Sequence, residues 1–243
     1  MNRHIASHVS KTASIGLFAG LLFSALPLQA QEMRFSGKAY DLSNNQWIYT
    51  EQHTQVFKDG RWVSGTIKYV SPSGEVIADK KLDFSADPYI PLTQMSIPSQ
   101  QYSEAIRSVK GDVVQMETTE NGKTDSGEIT VKRPVAADSG FHSFVQANLK
   151  ALQDGKTIPL SFGVVARKDQ YQFRIRKTGN SQKDGKNLIE LKAEPNSLLR
   201  LLADPLTLTY DLDTKNLIEY VGPSNIPNAK TRKVPQVRIE YSY

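Results

Sequence analysis

Cysteine is absent from all 243 residues. That excludes disulfides, thiol nucleophiles and cysteine-held metals, so stability has to rest on burial of apolar surface. Histidine is scarce: the chain has 4, and beyond residue 30 they are His53 and His142. No Gly-rich phosphate loop, G-x-S-x-G elbow or H-E-x-x-H is present. Charge is nearly balanced, with 30 basic against 25 acidic residues. The basic residues do not gather around aromatics as a nucleic-acid face requires. These absences argue against an enzyme, and neither a cofactor nor a metal is expected.

Long hydrophobic runs are also missing, except one. Residues from about Ile15 to Leu26 are apolar, basic Arg3 and Lys11 precede them, and Pro27-Leu28-Gln29-Ala30 follows. The run is about 12 residues, short of the roughly 20 that span a bilayer. The pattern predicts a signal peptide over residues 1–30, cleaved after Ala30, with an uncleaved anchor as the alternative. Residues 31–243 then form a single β-rich domain, periplasmic or secreted.

What is present has mostly a period of two. Val63, Gly65, Ile67 and Tyr69 share one face of "RWVSGTIKYV", and Val237, Ile239, Tyr241 and Tyr243 one face of "VPQVRIEYSY". Turn residues punctuate the runs, clearly at Asp59-Gly60 and Asn121-Gly122. The expected fold is mainly β: a curved antiparallel sheet, or an open or closed barrel, of roughly ten strands.

Two segments break the alternation. In "DSGFHSFVQANLKALQDG", Phe141, Phe144, Val145, Leu149 and Leu152 recur at helical spacing, predicting an amphipathic helix at about 139–153 that covers the sheet. Asp138 or Ser139 is placed to cap its start and Gly155 to end it. The stretch Ser85–Gln101 carries Pro88, Pro91 and Pro98 and reads as a long apolar loop. A short second helix is a further candidate around Leu198, Leu199, Leu201 and Leu202.

Few residues offer chemistry. His142 borders the apolar stripe and reads as a helix histidine packed on a neighbour. His53 shares a strand face with Glu51 and Gln55; bulk solvent is the favoured environment for that face and a wet cavity the alternative. Nothing local links the two histidines into a metal site. Asp211 and Asp213 have calcium-like spacing, but Lys215 occupies the next ligand position, so a hairpin turn is the better reading.

"DSGFHSFVQANLKALQDGKTIPLSF", "LTLTYDLDTKNLIEYVGPSNI" and "VRIEYSY" resemble a family of exported proteobacterial proteins of unknown function. The resemblance implies export and supplies no activity or catalytic residue. Many strands with one covering helix are also similar in architecture to periplasmic lipoprotein carriers and lipocalin-like binders. On that likeness the chain is expected to be a binding or carrier module for an apolar or lipid-like ligand. Tyr89, Ile90, Leu92 and Met95 would line its mouth, and Phe141, Phe144 and Leu149 its inner wall. The alternatives are a non-catalytic structural or protein-interaction component of the envelope and, less favoured, an outer-membrane β-barrel. Oligomeric state is open.

Overall fold

The computed structural model describes Met1, 30–196 and 205–243. The expected signal peptide and the expected short helix around Leu198–Leu202 lie outside the described residues. The described chain forms β1 (Gln31–Asp41), β2 (Trp47–Lys58), β3 (Arg61–Val70), β4 (Val76–Asp83), β5 (Leu92–Ile97), β6 (Tyr102–Lys110), β7 (Val113–Glu120), β8 (Lys123–Thr130) and β9 (Val135–Ala137). Helix α1 (Gly140–Gln153) comes next. After it come β10 (Ile158–Val164), β11 (Asp169–Lys183), β12 (Lys186–Pro195), β13 (Leu206–Asp211), β14 (Leu217–Pro223) and β15 (Gln236–Ser242).

The 15 strands make one sheet, ordered β8 back to β1, then β15 back to β9. The first and last strands therefore pair with each other mid-sheet, and every pairing is antiparallel except β9 with β10. The fold is mainly β, with one substantial helix and an open sheet. Its two ends curl toward each other and meet through side chains. Lys168 Nζ donates to Asp125 Oδ2 at 2.7 Å and Thr118 Oγ1 at 3.2 Å, while Gln170 Nε2 donates to the Thr130 carbonyl at 2.7 Å. Among the described residues, no helix is long and apolar enough to cross a membrane.

Local rules explain most elements. At the β7–β8 hairpin, Asn121 and Gly122 both take positive φ, 50° and 75°, the backbone that a tight two-residue turn needs. The Ser85–Gln101 stretch differs from expectation. Leu92–Ile97 is strand β5, bonded to β4 and β6. Prolines bar a residue from donating to the ladder, but Pro91 and Pro98 flank this segment and leave six proline-free residues free to pair.

Helix α1 forms where the 3.6-residue stripe placed it. Phe144, Val145, Leu149 and Leu152 are buried against Ala136, Leu160, Ile175, Leu191 and Leu208 on the inner face of β9–β13. Each such large side chain stabilises the fold by roughly 1.5–3 kcal/mol. Ser139 is the N-cap, but its side chain makes no capping bond; Asp138 accepts from the Ser139 amide and hydroxyl instead. Gly155, at φ 86°, ends the helix and donates to the Leu152 carbonyl. A second apolar cluster lines β1–β5 and β15, with Tyr49, Ile67, Tyr69, Met95 and Ile239 among its members. A third joins Ile90, Ile106, Val114 and Met116.

Candidate binding site

Strand β2 turns Tyr49, Glu51, His53 and Gln55 inward, where the last three were expected to meet bulk solvent. Glu51 is 2% exposed, Gln55 4% and the His53 side chain 11%. The period of two assigned these residues to one face correctly. It carries no information on what covers that face, and here the curl of the sheet covers it.

A glycine makes the arrangement around Glu51 fit. Tyr241, Gly37, Glu51 and Tyr69 lie side by side across β15, β1, β2 and β3. A Cβ on Gly37 would sit 2.6 Å from Tyr241 Cε1, so only a bare backbone lets that ring lie across β1. The Tyr241 hydroxyl then donates to Glu51 Oε2 at 3.0 Å. His53 Nε2 is 3.0 Å from the same oxygen. Phe35 stacks on His53 at 4.4 Å and on Tyr243 at 4.5 Å, and Tyr243 is 46% exposed.

Among the described residues, nothing donates to the other carboxylate oxygen, the buried Glu51 Oε1, and the Tyr69 hydroxyl, on a side chain with 0% exposure, is also unpartnered. Burying such a group unpaired costs about 1–3 kcal/mol. Four tyrosines gather around Glu51: Tyr49, Tyr69, Tyr220 and Tyr241. Burial raises the pKa of each hydroxyl, and the field of Glu51 raises it further. For Tyr69 the side chain of Asn225 offsets a little of that rise without completing a hydrogen bond.

A second buried polar group lies beside the first. Lys80 Nζ donates to Asp138 Oδ2 at 2.7 Å, and the two side chains are 5% and 7% exposed. Burial works against ionisation of Asp138, but Lys80 and Ser139 outweigh it and hold the carboxyl below its ordinary pKa. Glu104 is pushed up, first by burial, although Lys80 opposes the shift; it accepts from the Tyr102 hydroxyl at 2.8 Å. Asp138 has φ 48° and leads directly into α1, so the ion pair ties the start of the helix to β4.

His142 lies among aromatic side chains of the interior. His142 Nδ1 is 2.9 Å from the Tyr210 hydroxyl, with Trp62 edge-on at 6.4 Å. Burial, and then the field of His53, lower the His142 pKa to about 4. No group of three His, Asp or Glu is arranged to hold a metal ion among the described residues.

The seven residues assigned to a ligand's mouth and wall are divided. Tyr89, Phe141, Phe144 and Leu149 share the helix cluster, with Tyr89 edge-on to Phe144 at 5.5 Å. Ile90 and Leu92 belong to the third cluster, and Met95 to the cluster that contains Tyr49 and Tyr69. Loop and helix also touch through backbone: a Cβ on Gly140 would lie 2.1 Å from the Tyr89 carbonyl oxygen. An open surface hollow of about 620 Å³ lies between Gln153 and the β11–β12 hairpin. A second, of about 520 Å³, lies beside Pro98 and Tyr102. Neither is lined by any of the seven. Sequence reasoning singled out Glu51, His53 and Gln55 as a shared polar face but missed Lys80, Asp138 and the tyrosines. The one available signal was Lys80 itself, a charge at an inward position of an alternating strand.

Fold and site together define a curled, open β-sheet protein with a helix against its inner face and a polar, tyrosine-rich interior. No family model matches the chain, and no curated protein matches it. Among solved structures it is similar to a beta-barrel-like protein of domain of unknown function DUF1849 from Brucella abortus. The two are 5% identical over 88% of this chain and 96% of that one, with a TM-score of 0.41. At that level no residue role carries across.

Proposed function

We propose that the chain is an exported, non-catalytic binding module of the cell envelope that takes a small amphiphile between sheet and helix. The observation that carries this reading is the inner face of β2. A core that only had to be stable would leave no carboxylate oxygen and tyrosine hydroxyl buried without partners, because each costs stability and an apolar replacement would not. The unpaired groups are placed to meet the polar end of a ligand. Its apolar body would lie along Tyr89, Phe141, Phe144 and Leu149, with Ile90, Leu92 and Met95 beside the loop that packs on the helix. The signal-peptide pattern supports an envelope location. The test is native mass spectrometry of protein purified from its own periplasm. The expected result is a chain beginning near Gln31 that carries a small amphiphile released on denaturation. A chain that retains Met1 to Ala30 would overturn export; a bare chain that binds no amphiphile in titration would overturn the binding module.

The second reading is a structural or interaction component. Val145, Leu152, Ile175 and Leu191 around the helix show 0% exposure, the packing of a filled core. The same titration separates the two, since a filled interior takes up no probe.

A further inference from the structure

We infer that Glu51 and its surrounding tyrosines form a sub-site for a primary ammonium group; the inference rests on the ligand-binding reading above. Among the described residues, Glu51 Oε1 is a buried acceptor with no donor, and the hydroxyl of Tyr69, its cross-strand neighbour, also has no partner. A ligand group that satisfies both has to donate to Oε1 and either donate to the Tyr69 oxygen or accept its proton. Tyr49, Tyr69, Tyr220 and Tyr241 are near enough to feel the field of Glu51, and an aromatic ring attracts a cation that meets its face. An anionic group would face the Glu51 carboxylate at close range, and a purely apolar end would leave Oε1 unpaired. The cation already in the neighbourhood does not fill the role, because the Lys80 ammonium is held by Asp138 at 2.7 Å. Metal coordination is a poor fit, since no third acidic or histidine ligand joins the site among the described residues. An alkylammonium group, R–NH3+, meets every requirement, with N–H donors for Oε1 and the Tyr69 oxygen and a positive charge for the rings. A trimethylammonium group brings the charge without the donors, so the site should discriminate between the two.

The chemistry is shared by free amines and by lipids with an aminoethyl headgroup, and the experiment separates them. Ethanolamine, lysophosphatidylethanolamine and lysophosphatidylcholine are titrated calorimetrically into wild type, Glu51→Gln and Tyr69→Phe. Thermal melting checks that each variant is folded. The expected result is that wild type binds the aminoethyl lysolipid at least tenfold tighter than the choline one. Glu51→Gln should abolish that preference, and it should weaken the choline lipid by less than the aminoethyl one because the choline group loses only the charge attraction. Glutamine keeps an acceptor for Tyr241, so the variant should fold. Should it not, Tyr69→Phe removes one acceptor without touching the charge and should lower the preference about threefold. Binding of ethanolamine alone as tightly as the lysolipid supports the sub-site and makes the free amine its source. Equal binding of both lysolipids, unaffected by either variant, overturns the sub-site while the carrier reading survives. No binding of any probe overturns both. A crystal soaked in ethanolamine that shows only water at Oε1 overturns the sub-site.

Discussion

The half of the sheet that holds α1 and the half that holds Glu51 bury their inner faces in different ways. Along β9–β13 the helix stripe meets leucine, isoleucine and alanine, and polar contacts such as His142 with Tyr210 and Lys177 with the Gln153 carbonyl stand at its border. Along β1–β6 and β15 the same inward positions carry Glu51, Gln55, Lys80 and Glu104 among tyrosines. Apolar packing is additive and tolerant, and its failures scale with the volume removed. A buried polar network is neither, because removing one member strands its partner. The helix half therefore has the character of a scaffold, and the Glu51 half that of a surface kept polar at a cost in stability.

The sharpest test of this contrast is Lys80→Met. It leaves the Asp138 carboxyl buried without its counter-ion at the start of the helix, and should destabilise by about 3–5 kcal/mol. Adding Asp138→Asn should recover most of that loss in a denaturant titration. If the single variant is as stable as wild type, the polar half does not behave as a network. Next comes Phe144→Ala on the apolar side, expected to cost about 3 kcal/mol with no single partner able to rescue it.

The border between the halves is tested with pH. His142 in the fold has a pKa of about 4 against an ordinary 6.5, so between those values the unfolded chain binds the proton first. The contribution is fully present above pH 6.5 and is lost as pH falls toward 4. Melting temperature should decline over that window, and His142→Gln should make the decline shallower. An unchanged slope would assign the acid sensitivity to other groups. The smallest effect is expected on the solvent side of α1. Lys150→Ala breaks an exposed pair with Asp154 and should stay within about 0.5 kcal/mol of wild type in the same titration.

Local pattern reached much of this architecture. Alternation in "RWVSGTIKYV" and "VPQVRIEYSY" identified strands, and paired turn residues identified hairpins. The stripe from Phe141 to Leu152 located α1 to within a residue or two. Strand β5 was missed because its flanking prolines were read as excluding the whole segment, when they exclude only their own positions. The candidate site was legible only as residues that share a face. Glu51, His53 and Gln55 were grouped correctly but assigned to the solvent side. Lys80 and Asp138 could not be paired in advance, since neither position announces the other at that separation along the chain.

The sequence by itself determined which residues point together, because side-chain direction follows from backbone period alone. It also determined that no thiol chemistry takes place and that a single helix must find an apolar partner. The tertiary structure decided what each face meets. How far a 15-stranded sheet curls depends on twist summed over every strand pair, and on the side-chain bridges from Lys168 and Gln170 that draw its ends together. Only that curl turns the polar face of β2 from a solvated surface into an enclosed carboxylate, because enclosure is a property of distant segments brought together and not of the strand that carries the residue.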